Sequence, residues 1–170
     1  MSGTQFKILI ADDNPQGAEL LEAYLADTDF LVKTAGDGEQ TLKIVSEWNP
    51  DLILLDIMMP KRNGFEVCEF LRSNKQFDKT LIVLLTALND EASHIKGLEL
   101  GGDDFINKPI SPKVLVSRIS ALFRRIQPAT TETKTIQIKD LVIDSEQYKT
   151  VLNGVMHVLA KKEFEIGRAS

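Results

Sequence analysis

The chain has 170 residues, is 43% hydrophobic and carries a formal charge of −5 with a single cysteine, Cys68. That length buries one full core with some chain left over, and the acidic balance excludes a broad, sequence-independent grip on nucleic acid, which needs a basic face. No apolar run approaches the roughly 18 residues of a membrane span, and a lone cysteine behind an N-terminus without a signal-peptide core points to a soluble protein of the reducing cytoplasm.

Four short runs read as strands: Phe6 to Ala11 (FKILIA), Leu31 to Ala35 (LVKTA), Leu52 to Leu55 (LILL) and Leu81 to Leu85 (LIVLL). Three are apolar almost without a break, as strands covered on both faces should be. Helical spacing fills the intervals. Pro15 to Ala26 carries Ala18, Leu21 and Leu25 on one stripe, Gly38 to Trp48 carries Leu42, Val45 and Trp48, and Phe65 to Leu71 carries Phe65, Cys68 and Leu71. Glu91 to Leu100 and Pro112 to Arg125 complete the set, the latter through Leu115, Ile119, Leu122 and Phe123. Strand and helix alternate along this stretch, which predicts a doubly wound α/β sheet.

Gln127 to Lys134 (QPATTETK) is the one plausible linker. Beyond it, Thr135 to Ile138, Leu141 to Ile143, Tyr148 to Leu152 and Val155 to Leu159 read as four short strands, with Asn153-Gly154 as a hairpin turn between the last two.

In a doubly wound sheet, function gathers at the carboxyl ends of the strands, near the reversal of strand order. Asp12 and Asp13, Asp56, Thr86 and Lys108 all sit where strands end. Three carboxylates at one edge repel and would raise at least one pKa, and a divalent cation removes the conflict. Hard oxygen donors with no Cys/His cluster favour Mg²⁺ keeping several waters over a closed Ca²⁺ cage or a zinc site. With such a cation, a carboxylate can attack phosphorus while an ammonium neutralises the equatorial oxygens, and Asp56, ending the central strand, is the expected nucleophile. Simpler roles compete: acids and Asn14 before Pro15 also start a helix, Asp56 alone suits a turn, Thr86 a strand end and Lys108 a solvated loop.

Residues 6 to 125 resemble the receiver domain of two-component response regulators, through ADDN at 11 to 14, LLDIMMPKRNGFE at 54 to 66, LLTA at 84 to 87 and GGDDFINKPI at 101 to 110. The resemblance implies a five-stranded parallel sheet in the order 2-1-3-4-5, with Asp56 accepting a phosphoryl group from a sensor histidine kinase. By the same resemblance Asp12, Asp13, Asp56 and the backbone carbonyl of Met58 hold Mg²⁺, Thr86 and Lys108 contact phosphoryl oxygens, Phe105 is the aromatic switch, and Lys108-Pro109 is cis. The apolar Met58 and Leu88 beside the pocket imply restricted access for hydrolytic water and a persistent phosphoryl group.

Glu91 to Arg125 resembles the OmpR/PhoB class, whose receivers pair through the fourth helix, fifth strand and fifth helix, which implies a homodimer on phosphorylation. Lys96, Asp103, Asp104 and Arg118 match charged positions of that face, whereas His94 replaces a usual basic residue and Val114 its usual acidic partner. Residues 135 to 166 resemble the N-terminal sheet of the winged-helix DNA-binding domain of that class. Ala160 stands there in place of a capping Thr, leaving Glu163 without its hydroxyl partner. Residues 167 to 170 look like a cloning remnant, so the expected division is a receiver over 1–126, a linker over 127–134 and a sheet fragment over 135–166, with DNA contacts belonging to a longer parent. The competing reading is a stand-alone receiver acting through protein contacts. An aspartyl phosphohydrolase lacks its general acid, because Met58 sits two residues after Asp56. A flavodoxin-like phosphate binder is opposed by the charges of Asp12 and Asp13.

Overall fold

The computed structural model describes residues 5–87 and 91–127 with their side chains, together with the backbone of four strands beyond them. The chain divides into two compact units, Met1–Phe123 and Arg124–Ser170. Along the first run β1 (Lys7–Ala11), α1 (Pro15–Leu25), β2 (Leu31–Ala35), α2 (Gly38–Trp48), β3 (Leu52–Asp56), α3 (Gly64–Ser73), a 3₁₀ turn (Lys75–Phe77), β4 (Leu81–Thr86), α4 (Glu91–Glu99), β5 (Asp104–Asn107) and α5 (Pro112–Ile126), which continues into the second unit's range. The five strands form one parallel sheet in the order β2-β1-β3-β4-β5, as the resemblance implied.

Alternating side chains of the central strands enter two cores. Ile8, Ile10, Leu52, Leu54, Val83 and Leu85 pack with Leu21 and Leu25 of α1 and with Leu115 and Ile119 of α5. Leu9, Ile53, Leu55, Ile82 and Leu84 pack with Val45 of α2 and with Val67 and Leu71 of α3. Every residue of β3 and β4 is buried, which is why their sequences show no polar alternation. β2 lies at the sheet edge and exposes Leu31, Lys33 and Thr34, so LVKTA carries the weakest apolar signal.

Helix starts are set by side-chain caps. Asn14 accepts the N–H of Gln16 ahead of Pro15, Asp37 accepts that of Gln40, and Asn63 and Glu66 form a reciprocal capping box. That box begins α3 at Gly64, one residue before the stripe beginning at Phe65. In α4 only Gly97 is buried, while Ile95 and Leu98 are each 57% exposed. Lys108-Pro109 is cis.

The second unit holds an antiparallel sheet, β6 (Thr135–Ile138), β7 (Leu141–Asp144), β8 (Lys149–Leu152) and β9 (Val155–Val158), paired in sequence order. The expected turn at Asn153-Gly154, Leu88, the linker residues from Pro128 onward, and Ala160 with Glu163 lie outside the described residues.

Leu54 is fully buried at the centre of the first core. Leu54→Ala should lower unfolding free energy by about 2–5 kcal/mol, measured by urea denaturation; a loss below about 1 kcal/mol would contradict this packing.

Candidate functional site

The strand order reverses between β1 and β3, and the crevice beyond their carboxyl ends is where a doubly wound sheet places its ligand. Asp12 follows β1 directly, with its N–H bonded to Ala35 O of β2 at 3.0 Å. Its Oδ1 accepts the Asn14 N–H at 2.9 Å. Asp56 ends β3, and its Oδ1 accepts the Met58 N–H at 3.1 Å. From the far side of the sheet, Lys108 reaches both carboxylates, its Nζ donating to Asp12 Oδ2 at 2.8 Å and to Asp56 Oδ2 at 3.1 Å.

Asp12, Asp13 and Asp56 each offer an oxygen to one small volume, all within 4.8 Å of one another. Neighbouring oxygens of an octahedral cation bound at 2.0–2.1 Å stand about 2.9 Å apart, so the three acids would draw together around such an ion, and other oxygen donors such as water would fill the remaining positions. Asp12 and Asp56 are buried and Asp13 is exposed, leaving the cluster open on one side.

Two glycines make room. A Cβ on Gly17 would lie 2.9 Å from Asp12 Oδ2. One on Gly64 would lie 2.5 Å from the Asp56 carbonyl oxygen, where the loop after β3 folds back and the Gly64 N–H bonds Ile57 O at 2.9 Å. The same loop is held outward by Lys61, in the left-handed region at φ 65°, whose Nζ donates to Asp37 Oδ2 at 3.0 Å.

Burial pushes the Asp56 carboxyl above its ordinary pKa, with the Asp12 charge adding to the shift and Lys108 only partly offsetting it. Burial also works against the Lys108 ammonium, but its bonds to Asp12 and the charges of both acids outweigh this and raise its pKa. The cation therefore stays protonated and shared.

Thr86 is buried at the end of β4, paired in register with Asn107 of β5, and its carbonyl accepts the Lys108 N–H at 2.6 Å. Met58 turns its side chain outward, 66% exposed. Phe105 is partly buried against the second core. Of the residues matched to a dimer face, Asp104 pairs with Arg118 at 2.9 Å, Lys96 lies over the Phe65 ring at 4.7 Å, and Asp103 is drawn to Arg72 at 2.8 Å. Arg72 was not legible as a site residue. It also donates to Gly101 O, Phe77 O and Thr80 O, knotting α3 to the loop before β5. Its one sequence signal is a long cation near a helix end. His94, which replaces a usual basic residue of the matched dimer face, packs its ring against Phe105.

The fold is a doubly wound α/β domain with a cluster of three acids and one lysine at the carboxyl edge of its sheet. Residues 8–120 match the response regulator receiver domain family, and the chain belongs to that family. Among its relatives is the DNA-binding response regulator MtrA of Mycobacterium tuberculosis, 40% identical over 160 residues that cover 94% of this chain and 68% of MtrA. MtrA of Mycobacterium leprae is 40% identical over 160 residues, covering 94% of this chain and 69% of its own. Solved structures agree. Response regulator DrrB, described as a Thermotoga maritima OmpR/PhoB homologue, superposes with a TM-score of 0.65 at 31% identity over 96% of this chain and 70% of its own. The receiver domain of Francisella response regulator 1452 gives 0.67 at 30% identity over 71% of this chain and 98% of its own. The protein is thus a two-component response regulator receiver of the OmpR/PhoB type. Among the described residues no helix is long and apolar enough to cross a membrane.

A carboxyl whose folded pKa exceeds its unfolded value costs stability when ionised, and the cost vanishes as pH falls through the folded pKa. In chelator-treated buffer at pH 7, Asp56→Asn should therefore unfold at a higher temperature than wild type, the gap closing as pH falls toward the ordinary 3.8. Equal or lower melting at pH 7 would contradict the stated burial cost.

Proposed function

We propose that this receiver is a phosphoryl-operated switch in which Asp56 accepts a phosphoryl group from the phosphohistidine of a sensor histidine kinase, in a reaction that requires Mg²⁺. The observation that carries the reading is the convergence of Asp12, Asp13 and Asp56 with one lysine bonded to two of them.

An Asp56 oxygen attacks phosphorus in line, the P–N bond to histidine breaks, and the electron pair leaves on the imidazole. Lys108 exchanges carboxylate partners for phosphoryl oxygens, and the Thr86 hydroxyl donates to another. Asp12, Asp13, Asp56 and the Met58 carbonyl would hold Mg²⁺, which when bound supplies charge neutralisation for the carboxylates and the phosphoryl oxygens.

An acyl phosphate at this site does no further chemistry, so its use is to shift a conformational equilibrium. Thr86 moves toward the phosphoryl group, Phe105 follows, and the face of α4, β5 and α5 changes. That face supports a homodimer. Asp104 and Arg118 already pair within the chain, so pairing across subunits exchanges one exposed ion pair for another at little net cost.

We assign residues 1–126 to the receiver, 127–134 to a linker and 135–166 to the opening sheet of a DNA-binding domain. The output is control of transcription, as the relatives named DNA-binding response regulators suggest.

Intact-mass spectrometry after incubation with acetyl phosphate and Mg²⁺, with sizing of the same samples, tests the reading. Wild type should gain one phosphoryl adduct and shift toward a dimer, with neither change in Asp56→Ala or without Mg²⁺. The adduct should decay faster in Met58→Asn. A folded wild type that gains no adduct, or an adduct that persists in Asp56→Ala, would overturn it.

A further inference from the structure

His94 lies in α4 with its ring against that of Phe105 in β5, the centroids 4.0 Å apart and the planes at 39°. Its Nε2 donates to Asn107 Oδ1 at 3.0 Å. One turn further along α4, Gly97 meets the same aromatic ring: a Cβ there would lie 2.7 Å from Phe105 Cε2 and 2.5 Å from Leu84 Cδ1. His94 and Gly97 therefore share the helix face on which Phe105 rests. Gly97 supplies closeness, and His94 supplies a second aromatic surface.

Of the two β5 residues that His94 touches, Phe105 pairs with Leu84 and Asn107 sits beside the groups proposed to contact the phosphoryl. Asn107 is paired with Thr86, and Lys108 follows it, with its N–H on Thr86 O. A movement of Phe105 must break the stack with His94 or carry α4 with it.

We propose that His94 is a positioning residue for the switch: its ring holds Phe105 in the placement seen here and fastens α4 to β5. The inference rests on Asp56 acting as the phosphoacceptor. Contacts made in the resting placement favour that placement, so removing them raises the population of the alternative. The bond to Asn107 is exposed and competes with water, which leaves the ring contact as the larger contribution. An aromatic pair of this kind is worth about fivefold in a two-state equilibrium.

The test uses the full chain as wild type, His94→Ala and His94→Phe. Relaxation-dispersion NMR of the Phe105 and Asn107 amides reads the minor-state population without phosphodonor, and beryllofluoride with Mg²⁺ provides the chemical shifts of the activated state. His94→Ala should raise the minor population about fivefold toward those shifts, while His94→Phe, which keeps a ring, stays within about twofold of wild type. Thermal melts confirm that each variant is folded, a readout on which simple destabilisation and repositioning part company. An unchanged population in His94→Ala, or an equal rise in His94→Phe, overturns the role of His94. Failure of wild type to take up phosphoryl at Asp56 overturns the underlying reading instead, and intact mass on the same samples tells the two failures apart.

Discussion

One ammonium bonded to two carboxylates organises the pocket: Lys108 with Asp12 and Asp56. A buried carboxylate without a partner is expensive, and here two come from strands on opposite sides of the switch point while the cation comes from beyond β5. The sheet must be complete for these groups to meet, so the pocket depends on nearly every strand. Even then neutralisation is partial, because Asp56 remains shifted upward by burial. Three acids clustered beside one lysine leave an excess of negative charge, which the proposed Mg²⁺ would offset. Sites that bind by such incomplete compensation give up some stability for function.

The other contacts keep this arrangement open. Gly17 and Gly64 remove side chains where Asp12 and the Asp56 carbonyl come close. Asp37 and Lys61 tie the loop after β3 to the start of α2. On the opposite flank, Arg72 binds Asp103, whose Oδ2 also accepts the Ile82 N–H, fixing the entrance to β4 and the approach to β5. Between this knot and the pocket lie α4 and Phe105. α4 buries only a glycine, so little apolar packing restrains it.

How much was legible in the sequence follows from where each residue gets its environment. LILL and LIVLL announce themselves because β3 and β4 are covered on both faces, and Asp56 and Thr86 are readable as the polar residues that end them. Asp12, Asp13 and Lys108 follow from the rule for strand ends together with the family motifs. The helix limits were less sharp where a cap, as at Asn63 and Glu66, starts the helix before its apolar stripe. The 3₁₀ turn at Lys75–Phe77 has too few residues to show a period. Contacts such as His94 on Phe105 and Arg72 on Asp103 join residues 11 and 31 positions apart through the tertiary fold, and neither pair has a spacing that marks it. Asp103 matches a position for pairing between subunits, yet its partner in this chain is internal, a choice that depends on where α3 ends.

The acids at the strand ends form the proposed cation site, which Lys108 alone does not satisfy. Thermal unfolding across a Mg²⁺ titration, comparing wild type with Asp13→Asn, tests it most directly, since Asp13 is exposed and its loss leaves the core untouched. Wild type should gain stability with rising Mg²⁺, by about 2.7 kcal/mol once the ion reaches a hundredfold excess over its dissociation constant, and Asp13→Asn should need a higher concentration for the same gain. No Mg²⁺-dependent shift in wild type, or an identical titration in Asp13→Asn, would contradict the account.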